Sequence, residues 1–281
     1  LEERRLDHWR VEADTVMAAR VLVDGAKRML RVNPRARFRR RDVERLVVHE
    51  IDVHAIRADH GMQQVLRCFQ TGLPGSLATE EGLAMVSEVH SGHASPGVLA
   101  RQVDVVRAID RARHMGFRAL YDVLADEIGP GLAWGIGLRI KRGLARPDLP
   151  GVYAKDSVYL RGHVLVKDWL DRGGDPALLY VGKVSVTDPI EAWLGQGWVV
   201  PGRVPPTWAS ATPGWRCDPG GSGLDLDDIA EARQLLREEQ FHASFHRRDG
   251  RRAGTACPHQ LDVDVVVLDL DERDVSAIRL E

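Results

Sequence analysis

The sequence predicts an α+β protein, mostly helical, with a small N-terminal antiparallel sheet and a small α/β extension at its C-terminal end. Three observations lead there. Residues 8–32 alternate weakly with period two and turn at Asp24-Gly25, as a hairpin does. From Arg40 the apolar period lengthens: Val43, Leu46, Val47, Ile51 and Ile56 fall at helical spacing. Residues 199–223 then collect Pro201, Pro205, Pro206, Pro213, Pro219, Gly220, Gly221 and Gly223, the composition of a linker.

Each element follows from local signals. Residues 20–23 and 28–32 form the hairpin, which Asn33-Pro34 ends. A long helix then runs from Arg40 and stops at Gly61. After a loop with Gly72, Pro74 and Gly75, Thr79 caps a helix over 80–88. Helices over 98–113, 117–127 and 132–142 are separated by Gly116 and by Gly129-Pro130-Gly131. Further helices cover 156–171 and 188–194. The expected organisation is a domain over 1–208, a linker over 209–223 and an extension over 224–281, with a helix at 227–245 and a strand at 261–270.

Composition bounds the function. The chain has 281 residues, 44% hydrophobic and 28% charged, which is ordinary for a folded globular protein. Lys+Arg 39 against Asp+Glu 41 gives a net charge of -2, so nothing in the bulk charge argues for nucleic acid. No apolar run approaches the roughly 18 residues of a membrane span, and the first residues do not read as a signal peptide, so none is expected. Cys68, Cys217 and Cys257 are odd in number and far apart, which fits a reducing cytoplasm. The chain begins at Leu1 rather than Met, so a preceding segment is expected.

Chemistry concentrates at His49-Glu50-Ile51-Asp52-Val53-His54. It differs from the H-E-x-x-H zinc motif by one extra residue. On a regular helix, positions i and i+4 are about 40° apart, whereas i and i+5 are about 140° apart and roughly 7.5 Å along the axis. Zinc–nitrogen bonds of about 2.1 Å do not span that. A working pair therefore requires a π-turn between His49 and His54. The bland alternative is two unrelated histidines on a surface helix. Against it, Val47, Val48, Ile51 and Val53 make the surroundings apolar, and buried polar rings need partners. Glu80 and Glu81 open the next helix and supply a carboxylate for a third ligand. Neighbouring residues point about 100° apart, so only one of the two ligates.

The blocks Asn33-Pro34, Phe38 through His54 and Arg57, TGLPG at 71–75 and TEEGLA at 79–84 resemble bacterial proteins named for a QEGLA motif (the flavohemoglobin expression-modulating family). Those are similar to the microtubule-associated tyrosine carboxypeptidases. KDSVYLRG at 155–162, Gly182-Lys183 with Asp188, and Pro205-Pro206 extend the resemblance to roughly residues 20–208. The resemblance implies a zincin-like metallocarboxypeptidase holding Zn2+. His49, His54 and Glu81 are then its ligands and Glu50 its general base. The chain departs from the family at Asp52-Val53, commonly Gly-Thr, and at Glu80, commonly Gln. Asp52 either approaches the metal or points to solvent.

A carboxypeptidase must pair the terminal carboxylate of its substrate with a cation and stabilise an oxyanion. Lys155, Tyr159 and His163 recur at i, i+4 and i+8 on one helix face. Lys155, Arg161 and Arg57 are the candidate cations, and Tyr159 is the candidate oxyanion donor. Glu88 is expected to orient a histidine N–H. His60, His90 and His93 read as helix-end residues. His242, His246, Cys257 and His259 offer a loose second zinc set, with an exposed amphipathic helix as the plainer reading.

The expected function is a zinc-dependent carboxypeptidase acting on a peptide or protein C-terminus, cytoplasmic, without nucleic acid or membrane. The oligomeric state is left open. The alternatives are a binding or regulatory protein with a structural metal, and a metal-dependent peptide-maturation enzyme.

Overall fold

The computed structural model describes residues 1–209, except 18 and 95, together with Gln234; of Pro96 and Ala209 only the backbone is described. The expectations for the linker, the extension and the second histidine–cysteine set lie outside these residues.

Three short strands come first: β1 (Arg10–Ala13), β2 (Val21–Asp24) and β3 (Met29–Val32). The hairpin forms as its sequence predicts, with Asp24 opposite Met29 and Val21 opposite Val32. The sheet is mixed, however, and not antiparallel. β1 pairs with β3 in parallel, giving the order β1-β3-β2. The connection over 14–20 reverses the chain, so β1 opposes β2 and aligns with β3, whose outer edge is open to it. Local alternation carries no information about that choice. A Cβ on Gly25 would stand 2.8 Å from the Ala58 side chain, so the turn is pressed against the first long helical segment.

That segment has three parts: α1 (Arg40–Leu46), a π-helix (Val47–Ala55) and α2 (Ile56–Gln63). A single turn, α3 (Cys68–Thr71), leads to α4 (Ser76–His90). α4 starts earlier than expected. Gly75 adopts φ 79°, a left-handed conformation that redirects the chain, and the helix begins at the next residue. Thr79 is therefore inside the helix and does not cap it. Its hydroxyl accepts from the Val186 amide at 3.0 Å.

α5 (Pro96–Ala112), α6 (Phe117–Ile128) and α7 (Pro130–Lys141) fall where the glycine punctuation puts them and share a core of Ile109, Leu120, Leu124, Ile136 and Ile140. A 3-10 turn (Ala154–Ser157) precedes α8 (Val158–Asp171). A second 3-10 turn (Pro176–Tyr180), α9 (Ile190–Gly195) and α10 (Pro206–Ala209) complete the described chain. Among the described residues no helix is long and apolar enough to cross a membrane.

α4 lies at the centre. One core joins it to the π-helix, α2 and α8 through Val53, Ile56, Leu83, Val86, Val166 and Leu170, with Leu6, Trp9 and Leu30 closing one end. Met85, Leu99, Val106 and Leu160 join it to α5. α4 and α8 cross in backbone contact at Gly82 and Gly162: a Cβ on Gly162 would lie 1.9 Å from the Ala78 carbonyl oxygen.

Arg57 belongs to this interior. It is fully buried, and donates from Nε to the Leu179 and Gly182 carbonyls (2.8 and 3.1 Å) and from Nη2 to Val184 (2.7 Å). The expectation that Arg57 offers its charge to a substrate is corrected: it clamps the 179–184 segment from within. Its partners are more than 120 residues away in sequence, beyond any local pattern.

Candidate metal centre

The nine residues of the π-helix include the whole His49–His54 motif. Wider winding absorbs the extra residue, so positions i and i+5 come onto one face. The two imidazole rings meet edge-on, with centroids 5.0 Å apart. The geometric expectation from the spacing is met.

Glu81, on the second turn of α4, faces both rings. Its Oε2 lies 3.6 Å from His49 Nε2 and 3.7 Å from His54 Nε2. Around a tetrahedral ion with bonds near 2.1 Å, ligand atoms sit about 3.4 Å apart. These three residues form the one group among the described residues with metal-ligating spacing. Glu81 Oε2 is buried and has no hydrogen-bond partner, an uncompensated cost unless a cation faces it. The donor set, two imidazoles and a carboxylate, suits zinc.

The far side of each ring is fixed. His49 Nδ1 lies 2.7 Å from Glu88 Oε1 and His54 Nδ1 lies 2.9 Å from Glu80 Oε1. With Nδ1–H donating to a carboxylate, each ring turns Nε2 toward Glu81. Arg45 donates to the same Glu88 oxygen at 2.8 Å, and Lys183 approaches Glu80 at 3.5 Å. Glu88 thus takes the orienting role its position suggested. The matching role of Glu80 was missed: it was weighed only as a rival ligand. Its place beside an acid that faces both rings is the signal that points to it.

Charge is concentrated here. Burial opposes charge on His49, but Glu81 and Glu88 outweigh it and push its pKa up to about 10. His54 is raised in the same way: burial lowers it, and the carboxylates of Glu81 and Glu80 prevail. Burial would raise Glu80 and Glu81, yet Lys183 and His54 hold Glu80 well below the usual range, and the two histidines hold Glu81 below it. Such a set favours a bound cation of either kind, protons or a divalent metal, and a metal displaces the protons.

Glu50 is half-buried within electrostatic reach of both histidines and Glu81, and its pKa is raised chiefly by burial. Tyr159, on α8, is within electrostatic reach of Glu81 and Glu50; burial and those acids keep its hydroxyl protonated.

The remaining candidates are dispersed. Lys155 is exposed on the 3-10 turn before α8, so the continuous face shared by Lys155, Tyr159 and His163 is interrupted. Arg161 is half-buried on α8. Asp52 neither approaches the centre nor points to solvent. It is buried, accepting from Arg4 Nε at 2.8 Å and from Thr207 Oγ1 at 2.6 Å, and so ties both ends of the described chain to the π-helix. His60 is buried against the Tyr180 carbonyl (2.7 Å), and His90 stacks on Trp208 at 4.4 Å.

The chain is 30% identical over 180 residues to microtubule-associated tyrosine carboxypeptidase 1 of Mus musculus, covering 62% of this chain and 38% of that protein. The Homo sapiens protein of that name matches with the same identity and coverage. The Rattus norvegicus protein is 29% identical over 197 residues, 68% of this chain and 41% of its own. The chain thus spans well under half of these relatives. The sequence model of the family described as microtubule-associated tyrosine carboxypeptidase matches residues 3–214, three quarters of the length, and the chain belongs to that family.

Proposed function

We propose that the chain is a zinc-dependent carboxypeptidase of the zincin type. The observation that carries the reading is the triangle of His49 Nε2, His54 Nε2 and Glu81 Oε2, with both imidazoles oriented by carboxylates and Glu50 alongside. His49, His54 and Glu81 would hold the metal. A zinc ion bound there would polarise a carbonyl and acidify a water. Glu50 accepts a proton on its carboxylate and returns it to the leaving amine. Tyr159 donates its hydroxyl to the oxygen on which charge develops. A purely structural zinc site closes with four protein ligands. Among the described residues no fourth histidine, cysteine or acid joins this group, which favours catalysis. The names of the relatives support removal of a C-terminal residue, and make tyrosine the first to test.

Elemental analysis is expected to find one zinc per chain in wild type and a large loss in His49→Ala, His54→Ala and Glu81→Ala. Peptides ending in tyrosine, read by mass spectrometry, are expected to lose that residue when the C-terminus is free and to resist when it is amidated. Full zinc occupancy in the His49→Ala/His54→Ala double variant would refute the ligand assignment. Equal cleavage of free and amidated peptides by wild type would refute the carboxypeptidase reading.

A further inference from the structure

We propose that Arg139 is the residue that receives the terminal carboxylate of the substrate, held in place by the buried Asp156. The inference rests on the carboxypeptidase reading above.

A carboxylate drawn out of water beside a metal centre needs a fixed cation. The cations around the centre divide by what they already hold. Arg57 is buried on main-chain carbonyls. Arg45 serves Glu88, and Lys183 lies against Glu80. Arg161 is about 200° around α8 from Tyr159, so it turns away when Tyr159 faces the ligands. Lys155 is exposed on the turn before α8.

Arg139 is different. It lies in the last turn of α7, and its Nε donates to Asp156 Oδ2 at 2.6 Å. Asp156 is only 3% exposed. It also accepts from Arg142, Nη2 to Oδ1 at 3.0 Å and Nη1 to Oδ2 at 3.2 Å. One carboxylate thus serves two guanidinium groups, and the cluster keeps one positive charge. Arg142 is the less available of the pair: it grips both oxygens and lies over the Tyr153 ring at 4.3 Å. Arg139 gives Asp156 its Nε and reaches the Tyr159 hydroxyl; the two guanidinium groups are similarly exposed, 48% for Arg139 and 41% for Arg142, so their contacts and not their exposure separate them.

Tyr159 links the metal ligands to the ion cluster: it is within electrostatic reach of Glu81 and Glu50 and also of Arg139 and Asp156. A peptide with its last amide bond beside Glu50 carries its terminal carboxylate one residue further, roughly 3.5 Å. Arg139 reaches the hydroxyl of Tyr159, the side chain that also lies within reach of Glu81 and Glu50. The planar fork of a guanidinium matches a carboxylate, and Asp156 keeps it from collapsing onto Glu50 or Glu81.

The test uses the zinc-loaded wild-type chain, Arg139→Met, Arg139→Lys and Arg142→Met, each assayed on one peptide in free-acid and amidated form. Arg139→Met is expected to lose ~10²-fold in kcat/KM on the free acid, mostly through KM, and little on the amide, so that discrimination disappears. Zinc content should not change, and added guanidinium ion should restore part of the activity. Arg142→Met is expected to lose stability and keep the discrimination. A purely structural ion cluster predicts instead that the two methionine variants behave alike, and that result would overturn the assignment. If Arg139→Met does not fold, Arg139→Lys decides, since it keeps a cation on Asp156 but loses the fork: an unchanged free-to-amide ratio overturns the proposal. Failure of the wild type to discriminate refutes the underlying reading, whereas discrimination that survives in the Arg139 variants refutes this inference alone.

Discussion

Glu50→Gln is expected to bind zinc as wild type does and to cleave peptide about 10²- to 10⁴-fold more slowly, the range for a lost general acid–base group. The substitution keeps shape and volume and removes a proton acceptor. Glu50 is not among the three groups whose ligand atoms converge, so metal content should be spared. It lies within electrostatic reach of His49, His54, Glu81 and Tyr159, and the neighbouring acids among the described residues have other places: Glu81 points at both Nε2 atoms, and Glu80 and Glu88 are turned to the outer nitrogens. The two measurements are zinc stoichiometry and single-turnover cleavage. Near-normal turnover would remove Glu50 from the mechanism. Lost metal with lost turnover would show that it supports the ligands instead.

Gly162→Ala is expected to destabilise the fold by about 3 kcal/mol or more, at or beyond the upper end for an overpacked core. The added methyl would meet the Ala78 carbonyl oxygen at 1.9 Å and the Gly82 amide nitrogen at 2.8 Å. Both are helix backbone, so no rotamer change relieves the overlap and α4 must separate from α8. A typical domain holds only about 5–15 kcal/mol. Gly135→Ala is the control. It lies in α7 with nothing within 4 Å of the new methyl, and should be neutral or slightly stabilising. Chemical denaturation of both variants decides it; an unchanged midpoint for Gly162→Ala would mean that the helices do not cross this closely.

The legible part of this molecule is the part written in spacing. Two histidines five positions apart cannot serve one ion on a regular helix, so a shared ion at His49 and His54 requires the π-helix seen over Val47–Ala55. Gly116 and Gly129 likewise mark the ends of α6. What could not be read depends on partners distant in sequence. Arg57 looks like an available charge one turn after His54 until the carbonyls of 179–184 close around it. Asp52 owes its burial to Arg4 and Thr207, at the two ends of the described chain. The parallel pairing of β1 depends on which edge of β3 was open, which alternation does not encode. Asp156 and Arg139 meet because α7 and the turn before α8 fold back together, 17 residues apart.

α4 contributes Glu81 to the centre, and Glu80 and Glu88 to the outer faces of the two rings, while Ala78 and Gly82 pack it backbone to backbone on α8. A single helix therefore carries both the candidate grip on a cation and part of the central core. If His49, His54 and Glu81 hold the proposed metal, unfolding α4 would release it, and cation activity and thermal denaturation would be thermodynamically linked. At a free concentration a thousand times the dissociation constant, such linkage adds about 4 kcal/mol to stability. Chelation would then lower the melting temperature of the whole domain and expose it to proteolysis. In a cell starved of the metal, loss of activity would show up as loss of the protein itself.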